Sequence, residues 1–198
     1  MLQLKRILAF SGIVAIFLLC VVAGNAQQVL IKVLPESSVK IKGKTSLCSY
    51  TFKYKGDLAR DFKVDPNFNT DQLIAAISGL QLEVEKFKSG NFLMDKDFRK
   101  VMKCKEFPDC KIELLSLSII NNNPNVNGQA KIAVTIAGVK KVYLIPYQLK
   151  EESSPVAIHA IQPINFKDFG LNPKVNKLIE VKETCDVMLD LLIQIIYS

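Results

Sequence analysis

The stretch Gln129–Lys150, QAKIAVTIAGVKKVYLIPYQLK, decides how the rest of the chain is read. Ala130, Ile132, Val134 and Ile136 alternate with Lys131, Ala133 and Thr135; Ala137-Gly138 then interrupts the alternation, and a second β-rich run follows from Val142 to Leu149. Successive side chains of a strand point to opposite faces, so this is the pattern of a β-hairpin with one apolar face and one face carrying lysine and threonine. The apolar face has to be covered, and further strands are needed to cover it.

Working outward, the same period of two recurs. The run VLIKVL within Gln28–Leu34 is extended, Pro35-Glu36-Ser37-Ser38 is a turn, and Val39 and Ile41 alternate with Lys40 and Lys42, which predicts an opening strand bent at the proline. Tyr50, Phe52 and Tyr54 alternate with Thr51, Lys53 and Lys55, placing three rings on one face. Gly56–Asp71 is less regular and holds the turn signal Asp65-Pro66-Asn67, so a weak strand or a long loop is expected there. Leu80, Leu82 and Val84 restore the alternation, and Asp95 can cap a short helix running to Cys104 with Phe98, Val101 and Met102 on its apolar side. Cys110–Ile120 is the next strand, followed by the loop Asn121–Gly128, whose Asn127-Gly128 is a tight-turn signal. Val156–Ile161 is a strand, Asn165–Pro173 a loop and Ile179–Val181 a short extended piece. In Cys185–Ile196, Val187, Leu189, Leu191, Ile193 and Ile195 face one way, with Asp186 and Asp190 on the other side. About eight strands, one short helix and no βαβ unit predict an all-β fold, an eight-stranded antiparallel up-and-down β-barrel.

The first 26 residues read as a cleaved secretory signal: Lys5 and Arg6 precede the apolar run Ile7–Ala23, and Gly24-Asn25-Ala26 offers small residues before a cut at Gln27. Residues 27–198 then form one domain, and removal of Lys5 and Arg6 with no acid lowers the formal net charge from +7 to +5. Lysines scattered along strands, with arginine only at Arg6, Arg60 and Arg99, do not make a nucleic-acid groove. Four cysteines remain after the cut, an even number in an exported chain, which favours two disulfides. Cys104 and Cys110 bracket the step from helix to strand, leaving Cys48 and Cys185 to pair where the first and last strands of a barrel meet. The spacing fits no zinc ribbon, and with His159 as the one histidine no metal site and no cofactor is expected.

No catalytic arrangement accompanies His159, which lies between Ile158 and Ala160 without a GxSxG or HExxH motif. Asp95 and Asp97 are better explained by a helix start than as paired acids, and Asp168-Phe169-Gly170 as a loop with a buried phenylalanine. An outer-membrane barrel needs an apolar outward face, whereas the polar faces here carry Lys53 and Lys55, Glu83 and Glu85, Asp186 and Asp190. The chain is therefore not expected to be an enzyme. The candidates for a ligand-lined interior are Tyr50, Phe52, Tyr54, Leu82, Val84, Ile132, Val134, Ile136, Phe169, Val187, Leu189 and Leu191. A filled core would use the same residues.

Four segments in order, SSVKIKGKTS (Ser37–Ser46), SGNFLMDKDFRKVMKCKEFPDCKIEL (Ser89–Leu114), VTIAGVKK (Val134–Lys141) and INFKDFGLNP (Ile164–Pro173), resemble the successive landmarks of the YceI-like, polyisoprenoid-binding periplasmic family. Its acidic segment before a short helix is matched by Asp95 and Asp97, its aromatic-proline strand opening by Phe107-Pro108, its turn by Thr135–Val139, and its D-F-G loop by Asp168–Gly170. An aromatic-rich first strand is missing, and the four cysteines are not a general family feature. The resemblance implies a lipocalin-like barrel whose apolar tunnel holds a long isoprenoid or other lipid chain. The expected function is thus an exported lipid-binding protein, a carrier or store, in the periplasm or secreted, with a lysine such as Lys140 or Lys141 meeting any acidic head at the barrel mouth. A secreted interaction protein with a filled barrel is the alternative, an outer-membrane barrel a lesser one, and homodimer formation is left open.

Overall fold

The computed structural model describes residues 28–65, 67, 74, 78–119, 128–150, 155–173 and 181–197. The signal expected over residues 1–26, residues 121–127 of the loop before the hairpin, and most of the extended piece at 179–181 lie outside them. The hairpin forms as its alternation demands: β8 (Gly128–Ile136) and β9 (Val139–Lys150) pair in the register Ile136↔Val139, Ile132↔Tyr143, Gly128↔Tyr147. Ala137 and Gly138 have φ of 48° and 78°, both in the left-handed region that a two-residue type I′ connection needs.

Before the hairpin come β1 (Val29–Val33), β2 (Ser38–Thr45), β3 (Ser49–Tyr54), β4 (Arg60–Val64), β5 (Leu80–Glu83), β6 (Phe87–Lys88), the helix α1 (Phe92–Val101) and β7 (Asp109–Ile119). After it come β10 (Val156–Asn165) and β11 (Val181–Tyr197). All pairings are antiparallel, in the order β5-β7-β8-β9-β10-β11-β2-β3-β6, with β1 between β11 and β4. The all-β barrel class is as expected, but among the described residues the sheet has 11 strands rather than eight. Two breaks and one addition account for the difference. Pro35 lacks an N–H and divides the opening strand into β1 and β2; the Ser37 hydroxyl accepts from Leu192 N at 3.0 Å, so the ladder to β11 continues across the bend. A 3-10 turn at Val84–Lys86 divides the Leu80–Lys88 strand, and the weak segment after Gly56 contributes β4.

That second break closes the barrel. β5 pairs with β7 and β6 with β3, so one interrupted strand joins the two ends of the sheet. Across the break, Val84 N donates to Pro108 O and Lys55 N to Lys86 O, both at 2.8 Å. As expected, the last strand lies beside the first: β11 pairs with β2 and then with β1.

α1 starts earlier than the sequence suggests. Asn91 is its cap, with Oδ1 accepting from Leu93 N and Met94 N at 3.0 and 3.1 Å. Asp95 lies buried in the first turn and accepts from both the hydroxyl and the backbone N–H of Ser89. Burial opposes its ionisation, yet these two hydrogen bonds, with Lys88 and Arg99 nearby, hold its carboxyl below the usual carboxylate range. The apolar side of α1 turns Phe98 and Met102 into the barrel core. Phe98 stacks on Phe52 with centroids 4.2 Å apart and meets Phe87 at 5.9 Å, plugging one end of the barrel. The 3-10 turn Phe166–Phe169 adds Phe166 and Phe169 to the same plug, and Phe107 packs against the hairpin turn at Gly138.

Candidate functional site

Strand registers define the inner wall. Cys185, Val187 and Leu189 on β11 lie opposite Gly43, Ile41 and Val39 on β2 and opposite Ile164, Gln162 and Ala160 on β10. Ile132 and Val134 lie opposite Tyr143 and Lys141 on β9 and Leu114 and Ile112 on β7. Every interior candidate named from the sequence except Leu191, that is Tyr50, Phe52, Tyr54, Leu82, Val84, Ile132, Val134, Ile136, Phe169, Val187 and Leu189, belongs to or packs against one hydrophobic cluster at the plugged end. A second cluster of Val29, Ile31 and Val64, with Phe62 and Ile193 against it, occupies the other end. Between the two, the inward-facing Ala130, Ile145, Tyr147, Ile158 and Leu191 belong to neither cluster among the described residues.

Two inner tyrosines lie flat against the wall because the facing residue is glycine. An added Cβ on Gly43 would meet the Tyr50 ring, and one on Gly128 would meet both Tyr147 and the backbone oxygen of Ser118. A ring seated over glycine takes up wall rather than lumen. Burial, with the Cys185 thiol beside it, pushes the Tyr50 phenol up to about 12. Burial, then the Asp186 carboxylate, pushes Cys185 up to about 12, and burial, then Asp109 and Cys104, does the same to Cys110. All three stay neutral near pH 7, so they add no charge to the interior.

Tyr143 stands apart. Its hydroxyl is buried and has no hydrogen-bond partner. Tyr147 Oη, by contrast, donates to Ser118 O at 3.4 Å, and Tyr54 Oη accepts from Glu83 N at 3.4 Å. Burial raises the Tyr143 phenol, and the Asp168 carboxylate and the Cys185 thiol add to the effect. Sequence reading does not single out Tyr143. Its inward direction follows only once the turn at Ala137-Gly138 fixes Ile132↔Tyr143.

The cysteines depart from the expected pairing: Cys48, Cys104, Cys110 and Cys185 are free thiols, so neither the Cys104–Cys110 nor the Cys48–Cys185 bridge is formed. Cys185 lies opposite Gly43, under the Tyr50 ring, whereas Cys48 is exposed in the β2–β3 turn with its carbonyl held by Thr45. Cys110 points inward opposite Leu82, while Cys104 lines an outer cleft of about 490 Å³ with Gln81, Glu83, Glu85, Pro108 and Asp109.

Of the two lysines expected at the mouth, Lys140 turns outward and Lys141, opposite Val134, keeps the inward register. Lys140 pairs with Glu113 at 2.5 Å, spanning β8 on the outer wall, and Lys141 is exposed at the hairpin, at the plugged end. His159 is also on the outside: its Nδ1 meets Asp190 Oδ1 at 2.5 Å, while Asp190 Oδ2 accepts from Lys40 and Ser38 at 3.2 Å each. The carboxylate thus separates the serine from the imidazole, so the histidine is not placed to take a proton from Ser38. Asp95 and Asp97 do not converge either, since Asp95 is committed to Ser89. Among the described residues no group of three or more His, Cys, Asp or Glu side chains could hold a metal ion, and no helix is long and apolar enough to cross a membrane.

No family model and no curated protein matches the sequence. Solved structures do match in fold. BcnA from Burkholderia cenocepacia superposes at a TM-score of 0.63 with 15% identity, over 80% of this chain and 96% of its own. A polyisoprenoid binding domain from Saccharophagus degradans, implicated in plant cell wall breakdown, superposes at 0.57 with 9% identity, over 83% and 97%. A YceI protein from Campylobacter jejuni superposes at 0.47 with 15% identity, over 61% and 71%.

Proposed function

Because the chain folds as a barrel of the YceI-like type, we propose that it is an exported lipid-binding protein that holds one long apolar chain, isoprenoid or fatty acyl, inside the barrel as carrier or store. The observation that carries this reading is the apolar inner wall, along which Ala130, Ile145, Ile158 and Leu191 continue beyond the two hydrophobic clusters. Transferring methylenes from water to such a wall contributes roughly 0.8 kcal/mol each, enough for tight binding without an ionic contact. Loose selectivity for chain type follows, since apolar burial is non-directional. The domain from residue 27 onward is the binding unit, and the segment before it directs export.

Outward-facing Lys40, Lys42, Asp186 and Asp190 sit where a membrane barrel would need lipid-compatible side chains, which weighs against insertion in an outer membrane. The test is solvent extraction of the natively purified protein with mass spectrometry, followed by uptake of a fluorescent polyene by the wild type and by Ala130→Trp and Leu191→Trp. A stoichiometric lipid, and uptake reduced by about tenfold or more in folded Trp variants, is expected, a loss of at least 1.4 kcal/mol. Absence of uptake by the wild type replaces the carrier with an interaction protein whose barrel is filled. N-terminal sequencing of the exported chain tests the cut before Gln27.

A further inference from the structure

Among the described residues the hydroxyl of Tyr143 is the one buried side-chain polar atom without a partner, and it bears on what such a ligand looks like. A phenol shut away from water forfeits its hydrogen bonds to solvent, a cost that persists in a fold when something else supplies the partner. Tyr143 Oη is buried and unpartnered, whereas the phenols of Tyr54 and Tyr147 have protein partners. The residue lies where the plugged cluster ends along β9. Its cross-strand neighbour Ile132 packs against the plugged cluster, while Ile145, the next inward residue on β9, belongs to neither cluster. Whatever meets the hydroxyl from that side continues along Ile145, Ile158 and Leu191.

The charge around this hydroxyl limits the partner further. The ionisable groups acting on Tyr143 are Asp168, from the turn packed against β9, and Cys185, from β11, of which the thiol stays neutral near pH 7 and the carboxylate supplies the negative charge. Of the two hairpin lysines, Lys140 is engaged with Glu113 outside the barrel and Lys141 is exposed. Lys141 shares the inward register with Tyr143 but is exposed, so a carboxylate or phosphate placed at the buried hydroxyl would face the Asp168 carboxylate first, and an uncharged acceptor is favoured.

Resting on the lipid-binding reading above, we propose that Tyr143 donates a hydrogen bond to an uncharged carbonyl or hydroxyl oxygen at one end of the ligand, which enters polar end first. The ligand class is a long-chain amide, ester, ketone or alcohol. The oxygen sits against the plug formed by α1 and the Phe166–Phe169 turn, and the tail runs toward the end that carries Val29, Ile31 and Val64. This is the reverse of a head held at the mouth by lysine.

The test uses the full mature chain, stripped of lipid and loaded with a fluorescent polyene. Displacement is measured for an alkane, a primary alcohol, a primary amide and a carboxylate of equal chain length, at a pH where the acid is ionised, on the wild type and on Tyr143→Phe. One hydrogen bond to an otherwise unsatisfied donor gives the amide and alcohol about a tenfold advantage over the alkane. The carboxylate should have no such advantage. Tyr143→Phe should bring the amide and alcohol down to the alkane's value and leave the alkane unchanged. A second readout is the carbonyl stretch of bound isotope-labelled amide, expected at lower frequency in the wild type than in Tyr143→Phe. Equal displacement by alkane and amide in the wild type, as a buried water on Tyr143 would give, overturns the proposal. So does tightest binding of the carboxylate, or a loss in Tyr143→Phe that the alkane shares. Displacement by none of the four sinks the lipid-binding reading and this one with it.

Discussion

Truncating Phe98 and Leu191 to alanine measures how far packing extends along the barrel. Phe98 is 7% exposed, stacks on Phe52 at 4.2 Å and on the other side reaches Phe87 at 5.9 Å. Removing such a ring from a packed core costs about 3–5 kcal/mol, through lost transfer energy and the cavity left behind. A further ~0.5–1.5 kcal/mol per aromatic pair is partly contained in that figure. Leu191 points into the same barrel from β11, opposite Ile158, but packs into neither cluster. A leucine in a filled core costs about 2–5 kcal/mol to truncate, with the cavity as the variable part. Where space already borders the side chain no new cavity is made, and about 1.5 kcal/mol or less is expected. Urea unfolding of lipid-free protein gives both values, provided the denaturant slope is unchanged by each substitution. If Leu191→Ala costs as much as Phe98→Ala, the barrel is filled at the level of Leu191 and the gap on which lipid binding depends does not exist.

Asp95→Asn should lower stability at neutral pH by roughly 1–2 kcal/mol, as the Ser89 bonds lose their charge. Because the folded carboxyl lies below its unfolded value, its contribution is complete above about pH 4 and is lost as pH falls through the depressed folded value; urea midpoints between pH 2 and 6 should therefore converge for the two proteins in acid, and a constant gap refutes the assignment. Gly128→Ala forces a Cβ onto the backbone oxygen of Ser118 and should destabilise by about 2 kcal/mol or more, whereas Gly43→Ala meets only the movable Tyr50 ring and should cost less while reducing polyene uptake by pushing that ring into the lumen; uptake unchanged in a folded Gly43→Ala protein removes Tyr50 from the wall. Alkylation of the native protein should modify exposed Cys48 first and reach Cys104, Cys110 and Cys185 only on unfolding, where four thiols are counted per mature chain; two or none would restore one or both of the disulfides expected from the even cysteine number.

The sequence by itself determined the barrel, because a period of two in polar and apolar residues is a local property that one strand states without reference to any other. The hairpin at Ala137-Gly138, the bend at Pro35 and the inward set from Tyr50 to Leu189 were legible for that reason. The alternation also placed His159 and the lysines on faces without saying what those faces meet. Tertiary structure alone decided the rest. Closure through a strand broken at Val84–Lys86 depends on two neighbours far away in sequence, β7 and β3, each pairing with half of it. The cysteines were a matter of register: an even number says nothing about Cys185 falling opposite Gly43 while Cys48 sits exposed in a turn. Lys140 was lost to the lumen because Glu113, two strands away, meets it outside. Tyr143 became notable through an unmade hydrogen bond, and whether a polar atom has a partner is settled only when every strand around it is in place.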